Sequence, residues 1–150
     1  MHMHPIPPSS CVCTTLRRAT RALTRAYDDA LADHGITIQQ FAILRHAKEA
    51  MEGAPVPLAS LAHRLVMDRT SLYRALPPLE RAGWVTLASP SPRQRTAFVT
   101  PAGDALLARA EPDWQAMQAR VLATMPPAEW QAMKITADRL ATTLSQDFAA

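Results

Sequence analysis

The sequence predicts a mainly α chain with one small β-hairpin, and three observations carry that prediction. Leu58, Leu61, Ala62 and Leu65 recur at the three-four spacing of one helix face. After Val66-Met67 breaks the pattern, Asp68 is placed to cap a second helix by accepting the free amide protons of its first turn, and Leu72, Ala75, Leu76 and Leu79 fall on one side of that helix. Beyond Gly83, a helix stop, Trp84 to Ala88 and Thr96 to Thr100 are β-prone runs separated by Ser89-Pro90-Ser91-Pro92-Arg93-Gln94-Arg95.

Opposite its leucines the second helix carries Thr70, Tyr73, Arg74 and Pro77, with Arg69 and Ser71 at the edges. These are hydroxyls and arginines, without a carboxylate. Two short helices joined by a tight turn, the second bearing such a face, form the helix-turn-helix that enters a DNA major groove. A following hairpin with a basic tip, here Arg93 and Arg95, makes it a winged helix-turn-helix. Thr70, Ser71, Tyr73 and Arg74 are the candidate base contacts, Arg69 a base or phosphate contact, and Arg93 and Arg95 the wing contacts.

The remaining elements follow in chain order. Met1 to Ser10, rich in proline and serine, reads as a flexible N-terminal arm, and Ser9 or Ser10 is placed to cap a first long helix. In that helix Leu16, Ala19, Leu23, Ala26 and Ala30 form a stripe for a partner helix, while Arg17, Arg18, Arg21 and Arg25 lie mostly on the other side, Arg25 facing Asp29 at i,i+4. Gly35 stops it, and Thr37-Ile38-Gln39-Gln40 is a capping box for a helix with Phe41, Leu44 and Ala47 inward. Gly53 to Pro57 reads as a turn. After the hairpin, Thr100 caps and Pro101 occupies the first position of a helix carrying Leu107, Ala110, Trp114, Met117, Val121 and Met125, with Pro112 expected to bend it. A last helix from Pro126-Pro127 repeats the pattern in Trp130, Met133, Ala137, Leu140 and Leu144. These stripes exceed what a small winged helix can bury, so dimerisation is the expected use.

Through Leu58 to Leu65, Met67-Asp68-Arg69-Thr70-Ser71-Leu72, Pro78-Leu79-Glu80-Arg81-Ala82-Gly83 and Thr100-Pro101-Ala102-Gly103, the chain resembles the MarR family of bacterial transcriptional regulators over nearly its whole length. The resemblance implies a single domain over 11–150, with a winged helix at about 37–100 and dimerisation helices at about 11–34 and 101–148. It implies a homodimer on a pseudo-palindromic double-stranded DNA operator, acting as a repressor. It further implies release by a small-molecule effector, often an aromatic carboxylate or phenol, bound in a cleft that would bring Arg17, Arg18, Arg21 or His34 near it. The sequence departs from the family in two places. Where the family's wing carries an Asp two residues before an Arg, Ser91 stands before Arg93, between Pro90 and Pro92. Pro77 and Pro78 also fall inside the recognition helix, which is expected to kink after Tyr73 or Arg74.

Composition agrees with a nucleic-acid partner. At 150 residues and 48% hydrophobic content the chain has one domain's worth of core, and with only 5% aromatics its packing should be aliphatic. Between Pro57 and Thr100 the six arginines outnumber Asp68 and Glu80 by four, more than the +3 of the whole chain, so the basic excess sits on the winged helix. All of the 16 basic residues but Lys48 and Lys134 are arginine, the side chain suited to bidentate phosphate or guanine contacts. No apolar stretch approaches the roughly 20 residues of a membrane span, and the two cysteines make no disulfide framework; a cytoplasmic, reducing location is expected.

The residues also bear on other chemistries. Cys11-Val12-Cys13 is the candidate redox site, because a thiol in the first turn of a helix can be driven toward thiolate. In the OhrR-like branch of the family two tyrosines hydrogen-bond such a thiolate, and the matching positions here are Ile38 and Phe41, which lack hydroxyls. A thiol-sensing repressor is therefore the second reading, and a helical protein-interaction module without DNA binding the third. His2, His4, Cys11 and Cys13 have no zinc-site spacing, so no metal is expected. Without a Gly-rich phosphate loop or a telling His, acid and nucleophile arrangement, neither a cofactor nor catalytic residues are expected, and the chain is not read as an enzyme.

Overall fold

Helix α4 (Arg69–Arg81) has one side committed to the interior: Leu72, Leu76 and Leu79 are fully buried, each worth about 2 kcal/mol of apolar burial. Around it the computed structural model, which describes residues 7–147, places α1 (Val12–Leu31), a 3-10 turn (Ala32–His34), α2 (Ile38–Met51), β1 (Val56–Pro57), α3 (Leu58–Leu65), β2 (Val85–Ser91), β3 (Gln94–Val99), α5 (Pro101–Leu122) and α6 (Pro127–Asp147). Helices dominate, with one small antiparallel sheet of order β1-β3-β2. Phe41, Ile43 and Leu44 of α2, Leu58 and Leu61 of α3, the α4 leucines, Val85 and Ala97 of the sheet, and Leu106 of α5 share one core.

The helix boundaries follow the local chemistry. Thr37 and Gln40 exchange the two hydrogen bonds of the capping box, Asp68 accepts from the Ser71 amide, and Thr100 accepts from the Gly103 amide with Pro101 at the first helical position. Gly35 ends the 3-10 turn in the left-handed region, φ 67°. Cys11, not Ser9 or Ser10, occupies the cap position of α1; the Ser9 hydroxyl instead accepts from the Cys11 amide at 3.3 Å. Residues 1–6 of the expected arm lie outside the described residues.

Three further expectations are corrected. The stretch from Gly53 to Pro57 is not all turn, since Val56 and Pro57 pair with Ala97 and Thr96 as a third strand. The hairpin is longer and its turn tighter: β2 continues through Ser89, Pro90 and Ser91, leaving Pro92 and Arg93 as the turn. A bulge between Ala88 and Ser91 accommodates Pro90, which lacks an amide donor, and β2 is an edge strand, where a missing donor is tolerated. Helix α4 is assigned as one helix from Arg69 to Arg81 through Pro77 and Pro78, with buried leucines on both sides of the prolines. Among the described residues no ion pair joins Arg25 to Asp29; Asp28 Oδ1 instead accepts from the first amide of α2, Ile38, at 2.7 Å.

The junction between hairpin and α5 is tightly specified. The Thr100 amide donates to the Trp84 carbonyl at 3.0 Å and its hydroxyl to the Gly83 carbonyl at 2.5 Å. Gly103, in the first turn of α5, is buried against the same Trp84 carbonyl, and a Cβ there would overlap that oxygen and touch Val99.

Beyond this junction the long helices are less complete. Tyr27 and Leu31 of α1 and Leu106, Leu107 and Ala110 of α5 are buried, and the Tyr27 hydroxyl donates to Gln118 across the two helices. Toward the other end of α1, Leu16 and Leu23 are 44% and 39% exposed. Along α6, Met133, Ile135 and Leu144 are exposed, and only Trp130, Leu140 and Ala141 are half-buried among the side chains described.

Two substitutions probe the local geometry with opposite signs. Gly103→Ala is expected to cost about 2–3 kcal/mol, since the clash is with backbone and neither partner can rotate away. Val66, between α3 and α4, is β-branched and exposed yet held at φ 51°, so Val66→Gly is expected to raise stability by about 1 kcal/mol. Urea denaturation of the two variants against wild type measures both.

Candidate nucleic-acid interface

Two carboxylates, Asp68 and Glu80, sit among the basic residues between Pro57 and Thr100, and the fold engages both with backbone amides. Asp68 caps α4 at 2.8 Å from the Ser71 amide and also accepts the Ser71 hydroxyl proton. These hydrogen bonds, the Ser71 hydroxyl first, hold the Asp68 carboxyl below its ordinary value. Glu80 accepts from the Leu87 amide at 3.0 Å on the outer edge of β2. What α4 presents to solvent is therefore Arg69, Thr70, Tyr73 and Arg74, all exposed, on the side away from Leu72, Leu76 and Leu79. Ser71 has given its only hydroxyl proton to Asp68, so toward a base it can act only as an acceptor.

The hairpin separates the two arginines expected at its tip. Arg93 is in the turn itself. Arg95 is in β3, and its guanidinium carbon lies 4.9 Å from the centre of the Tyr73 ring. Residue spacing alone could not reveal this, because it depends on the strand running past the prolines. Glu80 was likewise missed as a functional partner of the edge strand, although an acid near the end of a helix that leads into a hairpin is a usable signal.

The four residues expected near an effector are not brought together. Arg17, Arg18 and Arg21 lie along the exposed end of α1, and Arg18 donates to the Pro7 carbonyl at 2.6 Å. His34 is at the far end of that helix, its Nε2 2.7 Å from Asp113 Oδ2 of α5. A shallow hollow of about 250 Å³ runs along α1, lined by Thr20, Arg21, Thr24, Arg25 and Asp28. A larger one, about 430 Å³, lies between α2 and α5, but its cations are already paired: Arg45 with Glu49 at 3.3 Å and Glu111 at 3.5 Å, and Lys48 with Asp104. Arg45 also lies 4.4 Å from the Trp114 ring centre, and Trp114 stacks on Phe41 at 5.9 Å.

Cys11 and Cys13 are free and exposed. Cys11 accepts no capping hydrogen bond of ordinary geometry, yet the nearby Thr14 hydroxyl, followed by the Thr14 amide, holds its thiol below the usual range. His2 and His4 lie outside the described residues. Among the described residues no three His, Cys, Asp or Glu side chains are grouped to hold a metal ion, and no helix is long and apolar enough to cross a membrane.

No family model matches the chain, and no curated protein matches it. Solved structures do. The transcriptional regulator MosR of M. tuberculosis superposes with a TM-score of 0.78 at 32% identity, covering 91% of this chain and 97% of its own. The same regulator in complex with DNA gives 0.81 at 31%, covering 91% and 98%. CouR of Rhodococcus jostii, bound to p-coumaroyl-CoA, gives 0.75 at 21%, covering 88% and 92%, a likeness of fold.

The cap of α4 gives a pH signature. With its folded pKa depressed, Asp68 contributes stability that is present above its unfolded value of about 3.9 and is lost as the pH falls through its lower folded value. Asn caps as well but carries no charge. The stability difference between wild type and Asp68→Asn should therefore be constant above about pH 5 and change only below about pH 4. Urea midpoints across this range test it; a difference that varied between pH 6 and 8 would assign the titration to another group.

Proposed function

Because the chain belongs to the MarR family of transcriptional regulators, we propose that it binds a pseudo-palindromic operator as a homodimer and represses until an effector releases it. The observation that carries the DNA reading is the exposed face of α4, where Thr70, Tyr73 and Arg74 stand without a free carboxylate beside a hairpin whose turn carries Arg93. In this reading Arg74 makes bidentate base contacts, Thr70, Ser71 and Tyr73 complete the readout, and Arg69 and Arg93 hold phosphate or the minor groove.

Residues 11–150 act as one domain in this proposal, supported by a core that continues from Leu31 through the winged helix to Ala110. Dimerisation is supported by apolar side chains that the single chain leaves in solvent, Leu16 and Leu23 of α1 and Met133, Ile135 and Leu144 of α6, away from the core that the winged helix shares with Leu31, Leu106, Leu107 and Ala110. Two-fold pairing through these helices would set the spacing of the two α4 helices at one turn of DNA, about 34 Å.

The effector we propose is a small aromatic carboxylate or phenol. The α1 hollow offers Arg21 and Arg25 for an anionic end, and a second protomer would close it. MosR and CouR bring to this reading a relative solved on DNA and a fold relative solved with an aromatic acyl ligand. A second reading, in which oxidation at Cys11 or Cys13 is the releasing event, is favoured by the exposure of both thiols and the lowered pKa of Cys11.

Selection of duplexes from a random pool by the purified protein tests the proposal, which expects a two-fold symmetric sequence and fails if nothing is enriched. On the enriched duplex, Arg74→Ala should weaken binding by about 1–3 kcal/mol and relax base preference, whereas Arg93→Ala should weaken all sequences alike and lower the salt dependence. Truncation before Trp130 should yield aggregate or unstable monomer by sedimentation. Cys11→Ser/Cys13→Ser should still release DNA with the aromatic acid that releases wild type; release by peroxide alone, abolished in that variant, would establish the thiol reading instead.

A further inference from the structure

Strand β3 alternates faces, and Ala97 and Val99 point into the core against the helices. Arg95 has the same parity. The bulge lies in β2, where Ser89 and Pro90 together oppose the single residue Arg95, so the alternation of β3 passes the bulge undisturbed. Where the core ends, the inner face of the sheet therefore continues with a guanidinium, and it meets the ring of Tyr73, 37% exposed, at 4.9 Å. Arg93, two residues away in the turn, has no such partner among the described residues.

We propose that Arg95 is a positioning residue of the reading helix: its guanidinium, stacked on Tyr73, fixes that phenol on the exposed face of α4 and makes base readout depend on the wing. The inference rests on the DNA-binding reading above. A planar guanidinium can lie flat on a ring while its edge donors stay free, whereas an ammonium keeps the charge and loses the planar stack. Charge and stacking are thus separable by one substitution, Arg95→Lys.

The experiment uses the full chain, the duplex enriched by wild type from a random pool, and a scrambled duplex of equal length, titrated over a range of salt. Arg95→Lys should lower the preference for the enriched over the scrambled duplex by about two- to five-fold, the size of an exposed cation–π contact, with the salt dependence unchanged. In Tyr73→Ala, Arg95→Lys should produce no further loss, and in Tyr73→Phe, which keeps the ring, the loss should reappear. Thermal melting should be the same for wild type and Arg95→Lys. Independent, additive losses in the double variant would overturn the inference while leaving the DNA reading intact. Equal weakening on both duplexes would also overturn it, and enrichment of no duplex by wild type would remove the DNA reading together with this inference.

Discussion

The structure turns on the Trp84 carbonyl. It accepts the Thr100 amide, and the missing side chain of Gly103 lets the first turn of α5 lie against it. Thr100 contributes further, since its hydroxyl donates to the Gly83 carbonyl while accepting the Gly103 amide, so one residue joins the end of the reading unit, the last strand and the start of the long helix. With both sides of the contact made of backbone, the direction in which α5 leaves the winged helix cannot relax by side-chain rotation. Every residue from Leu106 onward inherits that direction, as does any partner that covers α6.

Charge is allocated with similar economy. Between Pro57 and Thr100 the surface is basic because six arginines outnumber two carboxylates, and those two accept from amides that lack partners in helix or ladder rather than from the arginines, Asp68 from Ser71 and Glu80 from Leu87. Around α2 and α5 the opposite arrangement holds, with Arg45 and Lys48 each paired to acids. Equal numbers of charged residues would thus give very different fields on the two sides of the molecule.

Most of the fold was legible in the sequence, because the caps at Thr37, Asp68 and Thr100 combine local chemistry with apolar spacing in agreement. The errors came where a distant partner decided the outcome. Val56-Pro57 looks like a turn until β3 supplies its pairing, and Ser89-Pro90-Ser91 looks like a loop until a bulge on an edge strand absorbs the proline. Spacing alone pairs Asp29 with Arg25, whereas it is the neighbouring Asp28 that meets the start of the next helix. In the candidate site the residue types of α4 were readable, but the burial parity that turns Arg95 toward Tyr73 was not, since it depends on strand length. The residues expected near an effector were the least legible: Arg17, Arg18 and Arg21 lie toward the exposed end of α1, while His34 meets Asp113 beyond its other end.

Pro77 and Pro78 give α4 a mechanical property that its unbroken path conceals. Neither proline has an amide to give to the carbonyls of Tyr73 and Arg74, so two consecutive rungs are missing between the turn seated by Leu72 and the turns seated by Leu76 and Leu79. Bending at that level has two fewer hydrogen bonds to strain, so its energetic cost is lower there than elsewhere in the helix. Compliance is thereby localised at one known level of an otherwise stiff rod, and the two residues at that level are the pair whose side chains face outward.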